Sequence, residues 1–187
     1  MRLFVALDLP WTLRQRLASL AGLGIPGARW VPPENYHLTL RFIGETPRYL
    51  AEEIDLALAA LKAREFALTL AGVGTFAKGG RPPALWVGVE RNPSLDHLRG
   101  KIETALQRVG LEPERRRFQP HVLLARLDGA TEAKLASFVQ AHNLLRAGPV
   151  WIRQFALFSS RLGNGPPVYD VEAEYDLSTQ MTESNVR

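Results

Sequence analysis

The sequence predicts an α+β fold of two pseudo-symmetric lobes. Each lobe is a mainly antiparallel sheet with helices on the outside, and an active-site cleft lies between them. Three observations predict it. Short apolar segments bounded by turn residues alternate with stretches of helical period, giving about seven strands interleaved with about four helices. No low-complexity linker divides the 187 residues, which are enough for one full core or two fused lobes. One pattern also recurs: His37-Leu38-Thr39-Leu40-Arg41-Phe42-Ile43-Gly44 is echoed 84 residues later by His121-Val122-Leu123-Leu124-Ala125-Arg126-Leu127, each time shortly before a Gly and a helix.

The elements follow in order. Residues 2–8 read as a first strand. Pro10 suits a helix start, Leu13, Leu17 and Leu20 recur at helical spacing, and Gly22, Gly24, Pro26 and Gly27 end that helix. Trp30 and Val31 extend a short strand before Pro32-Pro33, and the His37 strand closes at Gly44. Thr46 as N-cap and Pro47 at the first helical position open a helix striped by Leu50, Ile54, Leu58 and Leu61. Strands over 66–76 and 84–90 flank a turn-rich loop, Lys78-Gly79-Gly80-Arg81-Pro82-Pro83. Asn92-Pro93 starts a helix with Leu95, Leu98, Ile102, Leu106 and Val109 on one face. After Arg115-Arg116-Arg117 comes the His121 strand, then a helix over about 131–142 and two strands over 150–159 and 168–177. The chain reads as one bilobal domain over 1–177 with a polar, frayed tail over 178–187.

Composition narrows the function. The formal net charge of +4, with a pI near 9.8, is a mild bias toward anionic partners. The absence of cysteine excludes disulfides and thiolate metal sites. No apolar run approaches the roughly 18 residues of a membrane span, and the N-terminal run, broken by Asp8, reads as a strand and not as a signal peptide. The expectation is a cytoplasmic monomer without membrane attachment.

The two histidines carry the chemistry. Strand alternation puts His37, Thr39 and Arg41 on one face and Leu38, Leu40 and Phe42 on the other. It likewise puts His121 and Leu123 on one face and Arg126 on the opposite one. An unperturbed imidazole titrates near 6.5, so a neutral and a protonated ring coexist near cellular pH. On opposite sides of a phosphorus atom they can exchange protons with an attacking and a departing oxygen, with no metal, provided donors steady the phosphoryl charge. Thr39 could be such a donor and Arg41 a cationic clamp. His97 and His142 read as surface or boundary residues, Arg115–Arg117 as a solvated turn, and Phe42 and Trp86 as core on composition alone.

With those motifs in hand, the chain resembles the 2H phosphoesterases, specifically the RNA 2′,3′-cyclic phosphodiesterases also called 2′-5′ RNA ligases. The likeness rests on Arg2-Leu3-Phe4-Val5-Ala6, the His37–Gly44 stretch as an H-x-T-x motif, Phe76 through Gly88, Phe118-Gln119-Pro120-His121-Val122 with Leu124-Ala125-Arg126, and Phe158-Ser159-Ser160 with Gly165-Pro166 and Tyr169. The resemblance implies hydrolysis of RNA 2′,3′-cyclic phosphate ends, or of nucleoside 2′,3′-cyclic phosphates, to 2′-phosphates. His37 would be the proton donor and His121 the proton acceptor, with no metal or other cofactor. A 5′-hydroxyl in place of water would give a 2′-5′ linkage, a ligation that the resemblance implies is reversible. It also implies that Phe42 can stack on a base, although alternation aims it away from His37. One departure stands out: Leu123 occupies the place of the second motif's Thr. Losing one donor to a charged oxygen weakens phosphate binding by about 1.5–3 kcal/mol, roughly ten- to hundred-fold. Arg126 could compensate. The alternative reading is an RNA- or nucleotide-binding protein with weakened or lost catalysis.

Overall fold

The structure is a computed structural model that describes residues 1–21, 24–78, 81–129 and 132–179. Its elements are β1 (Arg2–Asp8), α1 (Trp11–Ala18), β2 (Ala28–Trp30), a 3₁₀ turn (Pro33–Asn35), β3 (His37–Glu45), α2 (Arg48–Ala59), β4 (Phe66–Lys78), β5 (Arg81–Val89), α3 (Pro93–Arg108), β6 (His121–Leu127), α4 (Glu132–His142), β7 (Arg146–Ile152), β8 (Gln154–Arg161) and β9 (Val168–Asp176).

Every strand pairing is antiparallel, in the order β7-β4-β5-β6-β3-β1-β8-β9, with β2 added to β6. The path has two halves, β7-β4-β5-β6 and β3-β1-β8-β9, which meet at one backbone pair, Leu38 opposite Val122. The duplication is visible in the connections. β1-α1-β3 and β5-α3-β6 each place a helix between two neighbouring antiparallel strands, and β4 and β8 then pair β5 and β1 of the opposite repeat. Two motif strands therefore lie side by side at the centre.

β1 is apolar from Leu3 to Leu7 because both its faces are covered there. Leu3, Val5 and Leu7 join the main core, while Phe4 and Ala6 form a second cluster with Ala156 and Phe158 on β8. On α3 the predicted stripe Leu95, Leu98, Ile102 and Leu106 is buried to 1% exposure or less. Each such side chain contributes about 1.5–3 kcal/mol by leaving water. Asn92 caps this helix by accepting the Leu95 N–H at 3.1 Å.

The elements differ from expectation at several points. Thr46 does not cap α2; its hydroxyl donates to the Gly44 carbonyl at 3.0 Å, and Pro47 stands at the N-cap. The strand expected over 150–159 is two strands parted at Arg153, because the chain leaves β4 there and crosses to β1. β4 and β5 reach further into the Lys78–Pro83 loop than turn composition suggested; Gly79 and Gly80 lie outside the described residues, as do Gly22 and Thr131. Ser178, placed in the tail, is tied to Ala63 through its N–H at 2.9 Å and its hydroxyl at 3.1 Å, while 180–187 lie outside the described residues.

Candidate active site

The central strands depart from simple alternation in the same way. In β3, Thr39 pairs with Ala6 and Arg41 with Val5, leaving Leu40 as an extra residue. In β6, Leu123 pairs with Trp86 and Ala125 with Leu85, leaving Leu124 extra. Such bulges shift which face the following residues occupy. The cleft face therefore carries His37, Thr39 and Phe42, opposite Asp8, Ala6 and Phe4, together with His121, Leu123 and Arg126, opposite Gly88, Trp86 and Ala84.

Three expectations are corrected by these bulges. Arg41 turns away from His37 to the helix side. Its Nε donates to Glu103 Oε2 on α3 at 2.8 Å, and its remaining donors reach the carbonyls of Phe42 and Glu112. Burial pushes the Glu103 carboxyl up, but hydrogen bonds from the Glu114 N–H, Arg41 and Gln107 outweigh it, and the group is held below its usual range. Arg41 is thus a tie between β3 and α3, turned away from the face that carries His37. Phe42 joins the His37 face at 56% exposure, so it is not core. Arg126 comes round to the His121 face, without an ion pair or hydrogen bond among the described residues.

Around the one pair of Leu38 and Val122, His37 and Thr39 flank Leu38 on β3, and His121 and Leu123 flank Val122 on the antiparallel β6. Directly opposed side chains start about 5 Å apart and diagonal ones about 7–8 Å apart. An antiparallel pair at that point sets the two imidazoles on one diagonal and Thr39 and Leu123 on the other, and His121 is near enough to act on the His37 charge. Both rings are fixed alike. His37 Nδ1 lies 2.7 Å from the Asn35 carbonyl and His121 Nδ1 2.7 Å from the Gln119 carbonyl, two residues upstream in each case. A carbonyl only accepts, so each Nδ1 carries the hydrogen and each Nε2 is left to exchange protons.

The supports behind the rings differ. Asn35 belongs to the 3₁₀ turn, which Arg14 latches by donating to the carbonyls of Leu9, Pro33 and Glu34 at 2.7–2.8 Å and to the Asp8 carboxylate. Asn35 Nδ2 donates to the Pro167 carbonyl at 2.9 Å. The His37 ring lies among Phe4, Tyr169 and Phe158, at centroid distances of 5.0, 5.0 and 6.4 Å. Burial pushes the His37 pKa below its ordinary 6.5; Arg14 and His121 push the same way, and the Asn35 carbonyl and Asp8 oppose. His121 stands instead against Phe76 at 5.0 Å and Trp86 at 6.3 Å. Gly74 makes room for the Trp86 indole, since a Cβ there would come within 2.4 Å of it.

Beside His37 a cavity of about 450 Å³ is lined by Trp30, Leu123, Arg126, Pro166 and Tyr169. Sequence reading missed Asn35, Gln119, Arg14, Phe4 and the wall role of Tyr169. Only the first two left a signal, standing two residues before each histidine.

Two antiparallel halves with matched histidines on adjoining strands describe a class of protein as well as a site. The sequence profile of the 2′-5′ RNA ligase superfamily matches residues 12–164. The chain is 36% identical over 153 residues to an RNA 2′,3′-cyclic phosphodiesterase of Aeropyrum pernix, covering 81% of this chain and 86% of the relative. It is 29% identical to that of Archaeoglobus fulgidus, covering 90% and 96%. A crystal structure of E. coli LigT in complex with 3′-AMP superposes with a TM-score of 0.77 at 25% identity, covering 95% of this chain and 98% of that one. The chain belongs to the 2′-5′ RNA ligase superfamily.

Proposed function

We propose that this protein hydrolyses RNA 2′,3′-cyclic phosphate ends, and nucleoside 2′,3′-cyclic phosphates, to 2′-phosphates by proton transfer between His121, water and His37. The observation that carries this is the matched pair of imidazoles, each with Nδ1 on a carbonyl and Nε2 free, on one face across a single strand junction. His121 takes a proton from water as it attacks phosphorus. His37 gives a proton to the departing 3′ oxygen. Thr39 donates to a non-bridging oxygen, and Arg126 neutralises charge where Leu123 has no hydroxyl to offer. A lowered His37 pKa makes its imidazolium a strong acid for an alkoxide, and the bound phosphate anion offsets the smaller protonated fraction. Phe42, exposed at the cleft edge, offers a face for a base. Ligation is the same displacement with a 5′-hydroxyl attacking phosphorus in place of water: the 3′ oxygen again departs with a proton from His37 and a 2′-5′ linkage is left.

No metal takes part in this reaction, and the first test follows from that. Incubation with cytidine 2′,3′-cyclic phosphate and EDTA is expected to yield cytidine 2′-phosphate. No turnover between pH 5 and 8, or turnover only after metal addition, would falsify the proposal. Binding of 2′-nucleotides without any turnover would favour the non-catalytic alternative.

A further inference from the structure

At the mouth of the cleft, next to Thr39 and Phe42, lies a second cavity of about 160 Å³ lined by Arg41, Arg99, Arg116, Arg117 and Phe118. Its cations are unevenly engaged. Arg41 is taken up by Glu103. Arg116 is bound twice by the Glu114 carboxylate, at 3.2 and 3.1 Å, and these bonds hold that carboxyl at about 2. Arg117 is exposed and has no ion pair or hydrogen bond among the described residues. Arg99 stands over the Phe118 ring at 5.3 Å, reaches Glu103 only at 3.8 Å, and keeps a buried Nε without a partner. Arg117 is therefore left over, and Arg99, loosely paired with Glu103 and with its Nε unpartnered, is fixed in direction by an aromatic ring.

The geometry points to a subsite here for the phosphodiester on the 5′ side of the reacting nucleotide, so that Arg117 and Arg99 grip an RNA strand where a mononucleotide offers them nothing. This rests on the proposed reaction, which fixes which way the strand runs: a 2′,3′-cyclic phosphate is a 3′ end, so the chain continues only through its O5′. The cavity beside Leu123 and Pro166 is largely apolar and suits a base or ribose, and the one beside Trp11 has its Arg14 held by Asp8. Among the described residues, the cavity beside Leu123 has Arg29 and Arg126, whereas the opening beside Phe42 gathers Arg41, Arg99, Arg116 and Arg117 next to Thr39. The segment lining it runs into Gln119, whose carbonyl orients His121, so a strand held here also bears on that ring's support.

The test compares a dinucleotide ending in a 2′,3′-cyclic phosphate with cytidine 2′,3′-cyclic phosphate. The dinucleotide is expected to have the higher kcat/KM, through a lower KM, and its advantage should fade with added salt more steeply than the mononucleotide rate changes. Arg117→Ala should lose about tenfold on the dinucleotide and less than twofold on the mononucleotide, and Arg117→Lys should recover part of the difference. Mononucleotide turnover with no dinucleotide advantage, or equal losses on both substrates in Arg117→Ala, overturns the subsite and leaves the reaction standing. If neither substrate turns over, the reaction fails. Calorimetry with a 2′-phosphorylated dinucleotide against cytidine 2′-phosphate then decides the subsite: tighter dinucleotide binding that Arg117→Ala abolishes supports it, and equal binding overturns it.

Discussion

The first and second halves of the central sheet solve one problem with different side chains. Positions 37, 39 and 42 of the first correspond to 121, 123 and 126 of the second, and the bulged residues Leu40 and Leu124 correspond too. Both halves bring the first, third and sixth residue of the motif to the cleft. The first half fills these places with His, Thr and Phe, the second with His, Leu and Arg. The first ring is packed among aromatics on a latched turn; the second stands more openly against Phe76 and Trp86. The backbone repeats where a group is aimed, and the side chains differ: a hydroxyl and an exposed aromatic ring on one side, a cation on the other.

If both halves are needed, removing either ring should be nearly equal in effect. His37→Ala and His121→Ala are each expected to lower kcat on a cyclic phosphate about a thousandfold, within the range proton transfer provides, with circular dichroism unchanged. A large loss in only one variant would break the symmetry. Next in size, Arg126→Ala should reduce kcat/KM about thirtyfold, as for one charged hydrogen bond to phosphate, whereas Arg41→Ala should act on the fold. Glu103 would lose its 2.8 Å partner but keep the Glu114 N–H, Gln107 and Arg99, a cost of about 1.5–3 kcal/mol, read as a lower midpoint in urea. Leu123→Thr restores a second hydroxyl and should raise kcat/KM by up to about tenfold; an unchanged or poorer value would mean that Arg126 already meets the need.

The smallest effect concerns pH. Because the His37 pKa is depressed, the pH profile of kcat/KM should show a limb below 6.5 that belongs to this ring. The sign for stability follows from the same shift. A group whose folded pKa is lowered binds fewer protons when folded, so its contribution is present above 6.5 and is lost as pH falls through the depressed value. The thermal midpoint should therefore drop on acidification below 6.5, and drop less in His37→Gln.

Much of this was legible beforehand. The motif strands, the α3 stripe, the Asn92 cap and the pairing of the two histidines all follow from local pattern and repetition. The faces of Arg41, Phe42 and Arg126 were not. A bulge is set by how a strand fits its two neighbours, and alternation counted along one strand does not register it. The repetition of Leu40 as Leu124 was the single available hint. The aromatic setting of His37 was hidden for a different reason: Phe158 and Tyr169 come from strands more than a hundred residues away, joined to β1 only by the crossover at Arg153.

The convergence of the two rings on one phosphate is tested most directly by ¹⁵N NMR of the histidine side chains during titration with cytidine 2′-phosphate. The Nε2 signals of His37 and His121 should move together, saturate at one equivalent with the same dissociation constant, and leave His97 and His142 unaffected. Movement of only one of the pair, or two different saturation points, would contradict it.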